Sequence, residues 1–147
     1  MLPHTYDGQD CSIARALEVL GERWTLLVVR EAFLGTRRFE GFLERLDMAR
    51  NVLAARLARL VEEGVLEKVR YQERPERHEY RLTQKGLDLW PTIVALLQFG
   101  DRYYAPDGPP MLLTHRDCGG TLDDRRVCTR CGTPLQPRDV LATPSAR

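Results

Sequence analysis

The hydrophobic period of this chain changes from helical to alternating at a single glycine, Gly64, and that change constrains the fold more than any other feature. Before it, Leu53, Leu57 and Leu60 fall within a narrow arc, with Val61 at its margin, so one side of a helix over about 50–63 faces a core. After it, VLEKVRY (65–71) and HEYRL (78–82) alternate well enough for two strands. The polar QERPER (72–77) between them, with Pro75 near its tip, is too long for a two-residue turn and reads as a projecting wing.

Ahead of this helix, RRFEGFLERLD (37–47) carries Phe39, Phe42, Leu43 and Leu46 at helical spacing. Asp47-Met48-Ala49 is then a turn of the right length to start the next helix at once. Helix, tight turn, helix and hairpin, in that order, make a winged helix-turn-helix. CSIARALEVLG (11–21) and WTLLVVREAFLG (24–35) read as two earlier helices, the first with Ile13, Ala16, Leu17 and Leu20 on one side. Thr83 can cap a long final helix over 83–104, bent by Pro91. Leu87, Trp90, Val94 and Leu97 form one apolar row on it, and Ile93, Leu96, Gly100 and Tyr104 a second. Two rows exceed what one small core requires, so one is expected to meet another subunit. APDGPP (105–110) is a linker, 111–135 hold a Cys/His cluster, and 136–147 read as a loose tail.

The fold class is therefore mainly α with a small β-hairpin: a winged helix-turn-helix domain over 11–104 and a zinc-ribbon-like appendage over 111–135. A chain of 147 residues has room for that and little more. MLPHTYDGQD lacks a charged segment followed by an apolar run, and no apolar stretch approaches the roughly 18 residues of a membrane span. The expectation is a cytoplasmic protein with reduced thiols, whose four cysteines serve as ligands, sensors or core residues.

A net charge of +1 excludes a polycation, so any affinity for nucleic acid must come from local clustering. Lys68 and Lys85 are the only lysines, a bias that a GC-rich genome would also produce. The side of the 50–63 helix away from its leucines holds Asn51, Ala55, Ala58 and Arg59, with Ala54 at its flank, and no acid before Glu62 and Glu63. A solvated face would mix charge signs and carry longer side chains. Such a helix fits the major groove of double-stranded DNA. Arg50 and Asn51, near its start, are the candidates for base contact, because Arg pairs with guanine and Asn with adenine. Arg56 and Arg59 lie along its flanks. Arg37 and Arg38 before it, and Arg74 and Arg77 on the wing, are candidates for phosphate contact. The weight rests on the order of elements, since any one exposed arginine is equally an ordinary surface residue.

His115-x2-Cys118 and Cys128-x2-Cys131 are separated by nine residues. Two such pairs can close a tetrahedron of one imidazole and three thiolates around zinc. Gly119 and Gly132 follow ligand cysteines, where tight turns are wanted. Leu122, Val127 and Leu135 are too few to fold this segment unaided, so a closed, structural metal would supply stability. Competing readings are a Cys128–Cys131 redox pair and unligated thiols. His4 and His78 read as solvent- or phosphate-facing. Trp24, Trp90, Phe99 and Tyr104 could line an effector pocket, but aromatic rows at helical spacing are usually core. No Ser/His/Asp set, phosphate loop or carboxylate pair stands out, so no enzyme is expected.

CSIARALEVLGERWTLLVVREAFLGTRRFEGFL, NVLAARLARLVEEGVLEK, RHEYRLTQKG and LWPTIVALLQFGDRY, in that order, closely resemble the HxlR family of bacterial winged-helix transcription factors. The resemblance covers about 11–104, departing at Gln98-Phe99-Gly100, where the family often has Trp before the glycine. It implies a homodimer joined through the N-terminal and last helices, on a pseudo-palindromic operator, repressing or activating neighbouring genes. It also implies that Cys11 occupies a position where some members carry a cysteine sensing electrophiles or oxidants. Cys11 opens a helix with Arg15 one turn on, which suits a reactive thiol; the plainer reading is a small, partly buried side chain. The rival from another class is a thiol redox protein using the CxxC.

Overall fold

The structure, a computed structural model, describes residues 8–145 in two compact units, the first ending at Leu87 and the second beginning at Asp88. In the first unit α1 (Ser12–Leu20), α2 (Thr25–Phe33), α3 (Phe39–Leu46) and α4 (Arg50–Glu62) lead into an antiparallel hairpin of β1 (Leu66–Glu73) and β2 (Glu76–Leu82), then a single turn, α5 (Gln84–Leu87). Val28, Val29, Phe42, Leu53, Leu57 and Leu60 are wholly excluded from solvent and form its core. Each such side chain contributes on the order of 1.5–3 kcal/mol by leaving water.

Gly64 terminates α4 with φ +73°. The amide of Gly64 donates to Val61 (3.0 Å) and that of Val65 to Leu60 (2.9 Å), so the last carbonyls are satisfied as the chain turns into β1. Gly35, at φ +100°, closes α2 with the same pair of bonds, to Ala32 and Glu31. Thr83 fastens the other end of the hairpin: its amide donates to the Val65 carbonyl, and its hydroxyl donates to Gly64 and accepts from the Gly86 amide.

The wing differs from its expectation. The strands run to Glu73 and Glu76, which are partners in the ladder, so only Arg74 and Pro75, joined by a cis peptide, make the turn. QERPER is thus mostly strand, because Pro75 sits where no ladder donor is needed. A register shift between Arg70 and Gln72 leaves Tyr71 as a bulge.

The long bent helix is also corrected. It is broken after Leu87, and α6 (Trp90–Tyr104) starts afresh with Pro91 in its first turn, where the missing amide hydrogen would have had no acceptor. In the second unit, β3 (Met111–His115) pairs antiparallel with β4 (Val140–Pro144), preceded by a 3₁₀ turn at Pro137–Asp139. The expected loose tail is thus the second strand of a ribbon. Its signal, the short apolar run Val140-Leu141-Ala142, was too brief to read without its partner.

Candidate functional site

Two arrangements bear chemistry, one in each unit. In the first, α3 and α4 form the helix-turn-helix. Leu53, Leu57 and Leu60 are buried, and Asn51, Ala54, Ala55 and Ala58 are exposed. The leucine period thus dictates that this small-residue face looks outward. Arg50, the first residue of α4, stands in solvent: its Nη1 and Nη2 donate to Glu40 Oε1 and Oε2 of α3 at 2.8 and 3.2 Å. The pairing holds the Glu40 carboxyl below its ordinary range. Its guanidinium carbon also lies 5.3 Å from the Phe39 ring.

The other sequence-derived arginines divide by what holds them. Half-buried Arg37 donates from Nη1 to the carbonyls of Ala32 (2.6 Å) and Thr36 (3.0 Å). Arg56 lies 3.6 Å from Glu22, and Arg59 pairs with Glu63 at 2.8 Å on its own helix. Arg38 lies over the Tyr71 ring at 4.2 Å, with Glu79 at 3.7 Å. Arg74 and Arg77 are exposed and, among the described residues, no acid pairs with them. Beside α3, an open groove of about 360 Å³ is lined by Leu34, Thr36 and the three arginines Arg37, Arg38 and Arg45.

In the second unit, one ligand atom from each of His115, Cys118, Cys128 and Cys131 lies within 4.8 Å of all the others. His115 Nδ1 is 3.3 Å from Cys118 Sγ and 3.5 Å from Cys131 Sγ, while the sulfurs of Cys118 and Cys128 are 3.4 Å apart. A tetrahedral zinc with bonds of about 2.3 Å to sulfur needs edges of about 3.8 Å. Those three distances are within about half an ångström of that edge, and the other pairs lie within 4.8 Å. Both ligand pairs use one local device: the amide of Gly119 returns to the His115 carbonyl at 2.8 Å and that of Gly132 to the Cys128 carbonyl at 2.9 Å, each glycine at positive φ.

The electrostatics suit a cation. Burial opposes charge on the Cys128 thiol, yet amide donors at Cys131 and Arg130, with the Cys118 and Cys131 side chains, hold its pKa down, to about 6. The Thr133 hydroxyl, 3.1 Å away, and the Thr133 amide lower the Cys131 thiol. The exposed Asp117 carboxylate lies 3.7 Å from His115 Nε2, on the side of the ring away from the thiols, beyond hydrogen-bond distance.

Several contributors escaped the sequence reading. A Cβ on Gly120 would lie 2.5 Å from Cys128 Sγ, so the second glycine of Gly119-Gly120 clears space for a ligand. The doubled glycine was the available signal, since one suffices for the turn. Glu40 had no signal of its own, being one more acid on an exposed helix. Cys11 is exposed at the start of α1, not partly buried, and Arg15 is drawn to Asp10 at 2.8 Å. His78 is half-buried beside Glu76, and His4 lies outside the described residues. Trp90 is buried, whereas Phe99 and Tyr104 are exposed with ring centroids 6.0 Å apart.

A family model described as HxlR-like helix-turn-helix matches residues 19–108. An uncharacterized HTH-type transcriptional regulator of Mycobacterium tuberculosis, Rv3095, is 49% identical over 144 residues, which span 97% of this chain and 90% of that protein. The crystal structure of PA1607 aligns with a TM-score of 0.74 at 42% identity, over 95% of this chain and 96% of its own. The reduced form of the transcriptional regulator YodB from Bacillus subtilis aligns with a TM-score of 0.56 at 27% identity, over 67% of this chain and 98% of its own. The family model stops short of His115, whereas the alignments with Rv3095 and PA1607 take in nearly the whole chain.

Proposed function

The chain belongs to the HxlR-like helix-turn-helix family, among whose named relatives are transcriptional regulators and not enzymes, and on that premise we propose how it regulates. It acts as a homodimer on a pseudo-palindromic operator, with α4 of each copy in the major groove of one half-site. The observation that carries this is the exposed, acid-free first three turns of α4. Arg50 and Asn51 are the base readers, Arg56 and Arg59 the flanking contacts, and Arg37, Arg38, Arg74 and Arg77 the phosphate contacts. Residues 11–104 serve DNA binding and dimerisation. Supporting the dimer, Leu96, Phe99, Tyr103 and Tyr104 of α6 stand 49–76% exposed, and Ile13 of α1 is 71% exposed.

The test is equilibrium binding of the intact protein to duplex from around its own gene as salt is raised. A steep linear fall of log affinity with log salt is expected; no binding at low salt would end the reading. A reader of genomic DNA works in the cytoplasm, and no helix among the described residues is long and apolar enough to cross a membrane.

Residues 111–135 hold the metal-binding site of the appendage, whose ribbon is closed by β4 (Val140–Pro144). His115, Cys118, Cys128 and Cys131 fit zinc in ligand type, number and spacing. Bound there, zinc would tie the two glycine knuckles together and leave no open coordination position, a structural role. A thiol oxidoreductase would place its CxxC at a helix N-terminus, whereas Cys128 forms an isolated β-bridge with Leu122 and Cys131 lies in the turn that follows it. The exposed thiol of Cys11 is the candidate for an oxidant or electrophile signal.

A further inference from the structure

We propose that Glu40 is a positioning residue for base readout: from α3 it sets which edge of the Arg50 guanidinium meets the DNA, so guanine preference at one base pair of each half-site depends on a residue outside the reading helix. This rests on α4 being that helix.

Arginine carries five N–H donors in a rigid plane, with two edges that can each offer a parallel pair. Glu40 takes one hydrogen each from Nη1 and Nη2, at 2.8 and 3.2 Å, which occupies the end of the fork. The side edge, Nε with the remaining hydrogen of Nη2, stays free, and it offers the two parallel donors that guanine O6 and N7 accept. Phe39 stands 5.3 Å from the same guanidinium carbon, a second restraint on the rotation of the group. Arg59, by contrast, pairs through Nη1 with Glu62 in the last turn of its own helix and with Glu63 just after it, at 3.5 and 2.8 Å. The Arg50–Glu40 bridge joins the starts of α3 and α4 across ten residues of sequence.

Glu40 therefore has two opposite effects on binding. Its charge opposes approach to phosphates, while its grip on Arg50 sharpens the choice of base. A surface ion pair with no link to readout would produce only the first.

The experiment measures relative affinity for every base at every position of a randomised duplex library, together with affinity for a non-specific duplex. It uses the full chain as wild type, Glu40→Ala, Arg50→Ala and the double variant. Both side chains are mostly exposed, at 71% and 62%, so the variants should melt like the wild type. In the wild type we expect a guanine preference that Arg50→Ala reduces by about fivefold or more. Glu40→Ala should lower the preference at that position alone by about twofold to fivefold, while non-specific affinity holds or rises. In the Arg50→Ala background it should lower base preference no further. A Glu40→Ala profile equal to wild type, sharper at that position, or lowered at all positions would overturn the inference. If the wild type selects sequence but Arg50→Ala loses nothing, the inference falls and the DNA-reading function stands. If the wild type selects no sequence, that function falls as well.

Discussion

Arginine does three separate jobs in this chain, and the partner of each guanidinium decides which. Arg37 spends donors on two main-chain carbonyls, so Arg37→Ala should lower stability by about 1 kcal/mol in chemical denaturation, by removing two hydrogen bonds while the Ala32 carbonyl keeps the Gly35 amide. Among the described residues, no acid pairs with Arg74 or Arg77. Each replaced by Ala should leave the melting temperature unchanged and reduce the slope of log affinity against log salt by about one. Arg50 stands between, braced by Glu40 and still facing solvent. At the metal site the deciding residue has no side chain: Gly120→Ala places a methyl 2.5 Å from Cys128 Sγ and should weaken zinc retention in a chelator competition by about tenfold to a hundredfold. An unchanged competition curve would remove Gly120 from the site.

At the scale of elements, α4 was the most legible piece, because its leucines recur at positions 53, 57 and 60, about two turns on one side, and its stop is a glycine in the left-handed region. Leu57 is fully buried, so Leu57→Ala should cost about 2–5 kcal/mol by denaturant melting and reduce DNA binding only by depopulating the fold. The wing, the long helix and the tail were read wrongly for one shared reason. A proline or a three-residue apolar run says little until its neighbours are known. Pro75 ends up in a turn and Pro91 opens a helix, where neither has to donate a hydrogen bond. Val140–Pro144 becomes a strand only because Met111–His115 lies beside it.

For the whole molecule, the alignments draw a line that periodicity cannot. YodB is covered almost end to end by two thirds of this chain, while the match to PA1607 includes the ribbon. The protein purified without added metal should carry about one zinc per chain and expose one reactive thiol in the native state, Cys11. No zinc with several reactive thiols would dissolve the ribbon as a metal centre and favour oxidation of its cysteines. Replacing both Leu96 and Phe99 by Glu should convert the dimer to monomers in sedimentation velocity and weaken operator binding sharply; a surviving dimer would exclude that face of α6.

From its sequence alone the chain determined the four helices before Gly64, where α4 ends, which of its sides is buried, and that one imidazole and three thiols recur at ligand spacing. Those are properties of residues three or four apart, set by the geometry of a single helix or turn. Tertiary structure alone decided that Glu40 grips Arg50, that Gly120 makes room for Cys128, and that the C-terminal segment returns to pair with β3. These depend on groups 8 to 33 positions apart along the chain, brought together only when burial and hydrogen bonding are satisfied throughout each unit.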